Sequence, residues 1–138
     1  MAQPLTTFPK RPGMVTFAAV MLFLLGGFYG AVAFMEFVNA TWLFFSPYNG
    51  VGYLWLWGIL DAIYALILWG AGYSILAGGQ AGRVIGVVVA ILSAVRWLFY
   101  LPIAPVTAVV IIAINVLIIY ALVAHEEFFR SGAGPIAS

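Results

Sequence analysis

Four apolar runs, each about as long as a bilayer is thick, decide what this chain can fold into. They cover residues 14–38, 52–76, 84–101 and 106–124. A helix rises about 1.5 Å per residue, so roughly 20 residues cross about 30 Å of hydrocarbon. No water reaches backbone N–H and C=O groups there, and a helix satisfies them within a single segment. Composition excludes a soluble alternative. The chain is 66% hydrophobic and 7% charged, against roughly 45–50% and about 25% in soluble domains. Its mean hydropathy is +1.17. A soluble domain of 138 residues leaves too much surface in water to conceal that much apolar area. The sequence therefore predicts an all-α membrane protein with four transmembrane helices in an antiparallel bundle.

The segments between the runs set the topology. Residues 1–13, MAQPLTTFPKRPG, are an irregular tail with three prolines and the pair Lys10 and Arg11. The run after it resembles a signal peptide in its basic flank. It is longer than an h-region of about 7–15 residues, and Met35-Glu36-Phe37 is no small-residue cleavage site, so it reads as a span. Residues 39–51 form an aromatic loop, 77–83 a glycine-rich turn, 102–105 a proline-bearing turn, and 125–138 a polar tail. The short second and third connections make neighbouring helices antiparallel. Lys10, Arg11, Arg83 and Arg130 all fall on the side of the termini, and the opposite loops hold no basic residue. The positive-inside rule then places both termini in the cytoplasm.

Glu36, Asp61, Arg96 and Asn115 interrupt the apolar runs. A charge in hydrocarbon costs about 2.5–3.5 kcal/mol on insertion scales, so such residues face the bundle interior and pair. Helix rise puts Asp61 about 13 Å and Arg96 roughly 7 Å below the outer ends of their runs. Glu36 lies near the outer end of the first. Small-residue stripes point the same way: Gly58, Asp61, Ala65 and Gly72 on the second helix, Gly82, Gly86, Ser93 and Arg96 on the third, Gly26 and Gly30 on the first. Arg96 is expected to bridge Asp61, with Glu36 as a second or alternative partner. Two readings of this cluster stand: an ion pair that fixes helix register, or a proton, ion or substrate site. The first is favoured because no polar lining continues to the inner face. Asn115 reads as interhelical glue.

Other classes are poorly supplied. A net charge of +1 gives no basic surface for nucleic acid. With no cysteine and one histidine, disulfides, thiolate sites and histidine clusters are excluded. An enzyme would need a nucleophile beside a base, and Ser93 has no histidine at its depth. His125, Glu126 and Glu127 read as a solvated tail, since adjacent helical residues do not share a face. Asn39-Ala40-Thr41 fits a glycosylation triplet, which matters only in a eukaryotic secretory setting. Trp42, Phe45, Tyr48, Trp55, Trp57, Trp97 and Tyr100 gather at the outer edge as an aromatic belt, which leaves open a docking surface for a partner. No cofactor is expected, although a bound lipid, quinone or pigment stays open at the same rim.

Trp57-Gly58 at the second helix, Gly82-Arg83-Val84-Ile85-Gly86 at the third and Leu101-Pro102 with Pro105 at the turn form an ordered set. Asn115, Tyr120, Leu122 and His125 complete it. In this order the chain resembles small four-helix bacterial membrane proteins of uncharacterised function, largely actinobacterial, over residues 15–128. The resemblance implies the four-helix fold and a bacterial plasma membrane, and no activity. Three positions depart from that family's pattern, which has a His where Asp61 stands, an Asp where Asn115 stands and no Arg at position 96. The acidic group has thus moved between helices and gained a cationic partner. Taken together, the sequence favours a non-enzymatic accessory or structural subunit that packs on itself, as a homo-oligomer, or on a larger membrane complex. The alternative is a small oligomeric carrier or channel for an ion, proton or lipophilic molecule.

Overall fold

The computed structural model describes residues 11–43 and 54–131. Five helices follow in order: α1 (Gly13–Leu43), α2 (Leu54–Leu76), α3 (Gln80–Tyr100), α4 (Pro105–Ala124) and a short α5 (Glu126–Ser131). The first four each contain a stretch long and apolar enough to cross a membrane, that of α1 being Gly13–Asn39. The chain is thus a multi-pass membrane protein by length and composition. Among the described residues there is no strand.

α1 packs most extensively on α2 and α3 on α4, while α2–α3 and α1–α4 contacts close the ring. One end of the bundle, where α1 finishes and α2 begins, is here the loop end. The other, which carries the start of α1, the α2–α3 turn and α5, is the terminal end. The terminal half of the core is apolar, built from Val15, Ala18 and Leu22 of α1, Leu68 and Ile75 of α2, and Ile118 and Leu122 of α4.

Several boundaries differ from those read in the sequence. α1 continues past 38 to Leu43, because Asn39 is only a weak helix breaker and no Gly or Pro stands between it and Pro47. α3 starts at Gln80 rather than 84. The turn before it needs only Gly78, whose φ of 77° suits a residue without a Cβ. The solvated tail is also corrected. α5 folds under the bundle and buries Phe129, which is 1% exposed, with Phe128 edge-on against it at 5.1 Å. Two aromatic side chains outweigh the charges beside them once an apolar core end is available to cover.

Glycines let the backbones approach. A Cβ on Gly82 would lie 2.9 Å from the Ile75 amide nitrogen, so the start of α3 sits directly on the end of α2. A Cβ on Gly26 would run into the indole of Trp69, whose Nε1 donates to the Phe23 carbonyl at 3.1 Å. Gly27, one residue on, meets nothing within 4 Å. Neighbouring substitutions should therefore differ in sign. Gly26→Ala is expected to destabilise by about 1–3 kcal/mol through overpacking. Gly27→Ala should be neutral or stabilising by up to about 1 kcal/mol from helix propensity. Thermal unfolding of both variants in detergent checks this, and equal shifts would refute the assigned α1–α2 contact.

Candidate functional site

Asp61 and Arg96 meet across α2 and α3. Asp61 lies seven residues, or about 10 Å, from the start of α2, and Arg96 four residues, or about 6 Å, from the end of α3. The longer arginine side chain spans the difference. Its Nη1 donates to Asp61 Oδ1 and its Nη2 to Oδ2, the latter at 3.0 Å, in a two-point fork. The aspartate side chain is 1% exposed and the arginine 29%. Aromatic faces surround the guanidinium, with ring centroids of Tyr29, Trp57 and Tyr100 at 5.5, 5.8 and 5.9 Å from Cζ. Such faces offer partial negative charge where water is excluded.

Glu36 does not join the fork. It is near enough to Asp61 and Arg96 to interact with both electrostatically, and its buried Oε2 has no hydrogen-bond partner among the described residues. Asn115 belongs to a second polar group deeper in the bundle. Its Nδ2 donates to Ser93 Oγ and to the Ile111 carbonyl, both at 2.9 Å. Ser93 Oγ and Tyr29 OH are hydrogen-bonded at 2.9 Å. Trp97 Nε1 donates to Tyr29 OH at 2.9 Å. Because Tyr29 accepts from Trp97, its own proton is free to go to Ser93. One chain of bonds thus links α1, α3 and α4. Tyr64 of α2 donates to the Val89 carbonyl and packs T-shaped against the Tyr29 ring, the centroids 4.8 Å apart. Asn115 Oδ1 is buried without a partner among the described residues.

The aromatic rim divides. Trp55 and Trp57 are exposed at the start of α2, Tyr100 stands exposed beside Trp97 at 5.4 Å, and Trp97 itself turns inward to bond Tyr29. The side chain of Trp42, and Phe45 and Tyr48, lie outside the described residues. Sequence reasoning missed Tyr29 and Tyr64. The available signal was their depth, since a tyrosine in mid-span needs a partner for its hydroxyl. His125 is at the terminal end, with Nδ1 at 2.9 Å from the Ala121 carbonyl. There Arg83 donates from Nε to the Leu122 carbonyl at 3.0 Å and pairs with Glu126 at 3.4 Å. A guanidinium on the last carbonyls of α4 is a favourable C-terminal cap. No three His, Asp or Glu residues among those described converge in a way that could hold a metal.

Among the described residues, lateral grooves open between helices. One, of about 300 Å³, runs between α2 and α3 from Trp57 and Arg96 to Ile67, with Asp61 and Ser93 in its wall. Another, of about 360 Å³, lies between α1 and α4 and is lined by Leu24, Phe28, Val110 and other apolar side chains.

The ion pair generates a sharp mutational expectation. Asp61→Ala leaves a half-buried guanidinium without its carboxylate and should destabilise by about 3–5 kcal/mol. Replacing both with leucine removes charge and partner together and should recover most of that loss. Thermal unfolding of the single and double variants in detergent checks it. A wild-type midpoint for Asp61→Ala would refute the pairing.

Comparison with known proteins adds a family and no more. No curated protein and no solved structure matches the chain. A family described as a domain of unknown function, DUF7144, matches residues 14–127, which takes in all four spans together with the polar groups that join them. The chain belongs to the DUF7144 family.

Proposed function

We propose that the protein is a non-enzymatic accessory or structural subunit of the bacterial plasma membrane, with both termini in the cytoplasm, packing on itself or on a larger membrane complex. One observation carries the reading: the polar side chains described in the core bond to one another in the loop half and the middle of the bundle. Beyond Asn115 the described core continues with Ile118, Ala121 and Leu122, facing Leu22, Leu68 and Ile75. A carrier or channel needs polar partners through both halves, and these side chains supply none within one chain. Reactive groups are also engaged. Ser93 holds Tyr29 and Asn115, and His125 holds a backbone carbonyl at the opposite end. The cytoplasmic placement of the termini rests on the four basic residues at that end.

Purification of the full chain in mild detergent, followed by mass spectrometry of intact complexes, tests the reading. The expected result is a stoichiometric larger membrane protein or a discrete homo-oligomer. The same preparation in liposomes should hold an imposed proton or potassium gradient. Dissipation of the gradient by wild-type protein, abolished in an Asp61→Leu/Arg96→Leu variant that still folds, would establish instead a carrier built on Asp61, Arg96 and Glu36.

A further inference from the structure

The α2–α3 groove combines features that the accessory role does not use. Its floor is polar at one end, where Arg96 keeps 29% of its side chain exposed. A guanidinium carries five N–H donors; Asp61 takes two of them and Tyr100 stands beside it as a further side-chain partner, so the fork keeps donors to spare. Close to the loop-end interface, the remaining donors are within reach of the head-group oxygens of a lipid seated in the groove. Apart from Ser93 the rest of the lining is apolar or aromatic: Trp57, Leu60, Ile63, Tyr64 and Ile67 on α2 and Leu92 on α3. From Trp57 to Ile67 the groove follows ten residues of helix, about 15 Å, which is half of the roughly 30 Å hydrocarbon layer. A polar head at the loop end with one apolar chain reaching the bilayer centre is the shape of a phospholipid in a single leaflet.

We propose that this groove binds one zwitterionic glycerophospholipid of the loop-end leaflet. Its phosphate and ester oxygens accept hydrogen bonds from Arg96, and one acyl chain lies along Leu60, Ile63 and Ile67. The headgroup class follows from charge. Asp61 neutralises Arg96, and Glu36 is a further carboxylic group close by, so no surplus positive charge is present to attract a net anionic lipid. A zwitterion brings its own cation. Trp57, which lines the groove and is exposed, offers aromatic surface to an ammonium at the same level.

Intact-protein mass spectrometry of the full chain, titrated with phosphatidylethanolamine and separately with phosphatidylglycerol, tests the proposal. One phosphatidylethanolamine is expected to bind, and phosphatidylglycerol about tenfold more weakly. Ile63→Trp and Leu92→Trp fill the groove from opposite walls without touching the ion pair. Each should lower phosphatidylethanolamine binding about tenfold or more while leaving the thermal midpoint without added lipid near the wild-type value. Glu36→Gln should narrow the preference over phosphatidylglycerol. Phosphatidylglycerol binding as tight as phosphatidylethanolamine overturns the charge assignment. Undiminished binding in both tryptophan variants overturns the location, and an isoprenoid quinone that occupies the groove in place of phospholipid overturns the ligand class.

Discussion

Hydrocarbon offers a polar atom nothing but other atoms of the same protein. Every feature of the bundle is a response to that constraint. Backbone groups are satisfied along each helix, and the side chains that still need partners are gathered where one helix can serve another. Asp61 and Arg96 would each cost about 2.5–3.5 kcal/mol if inserted alone. Joined at two points they present lipid with a pair whose charges cancel, and three aromatic rings flank the guanidinium. Their position within about two turns of the helix ends keeps the arginine within reach of the interface.

The two halves of the bundle consequently pack by different means. At the terminal end Gly82 lets α3 rest on the backbone of α2, and in mid-bundle Gly26 receives the Trp69 indole between α1 and α2. Close approach gives dispersion contact, which is what holds helices together when lipid is as apolar as the interface. At the loop end the long side chains of Arg96 and Tyr64 bridge α2 and α3. A bridge of that length separates the helices it joins. The α2–α3 groove is the space left where glycine contact gives way to side-chain contact.

The spans were legible in the sequence because apolar length alone specifies them. The Asp61–Arg96 contact was legible because charges in mid-span are rare and these two fall at similar depth in adjacent antiparallel helices. The second polar group was hidden. Tyr29, Tyr64 and Trp97 count as apolar in any hydropathy reading, and Ser93 looked like one more small residue in a packing stripe. Their hydrogen bonds depend on which face each helix turns inward, which composition does not encode. α5 failed for the opposite reason: its charges drew attention away from Phe129, whose burial depends on a core end that only the folded bundle provides.

Register is the further consequence of placing polar groups this way. Lipid-facing apolar helices can slide and rotate past one another at little cost, since one leucine in hydrocarbon is much like the next. On α3, residues 89, 93, 96 and 97 carry a carbonyl to Tyr64, a hydroxyl to Tyr29 and Asn115, a guanidinium to Asp61 and an indole to Tyr29. A slip of one residue would shift α3 by about 1.5 Å and turn it by roughly 100°. Arg96 would leave Asp61, and Ser93 would leave both of its partners. Losing them all at once in hydrocarbon is far worse than losing any apolar contact. A handful of polar atoms thus selects one arrangement from many of nearly equal packing energy, the role best attested for buried polar residues in helical assemblies.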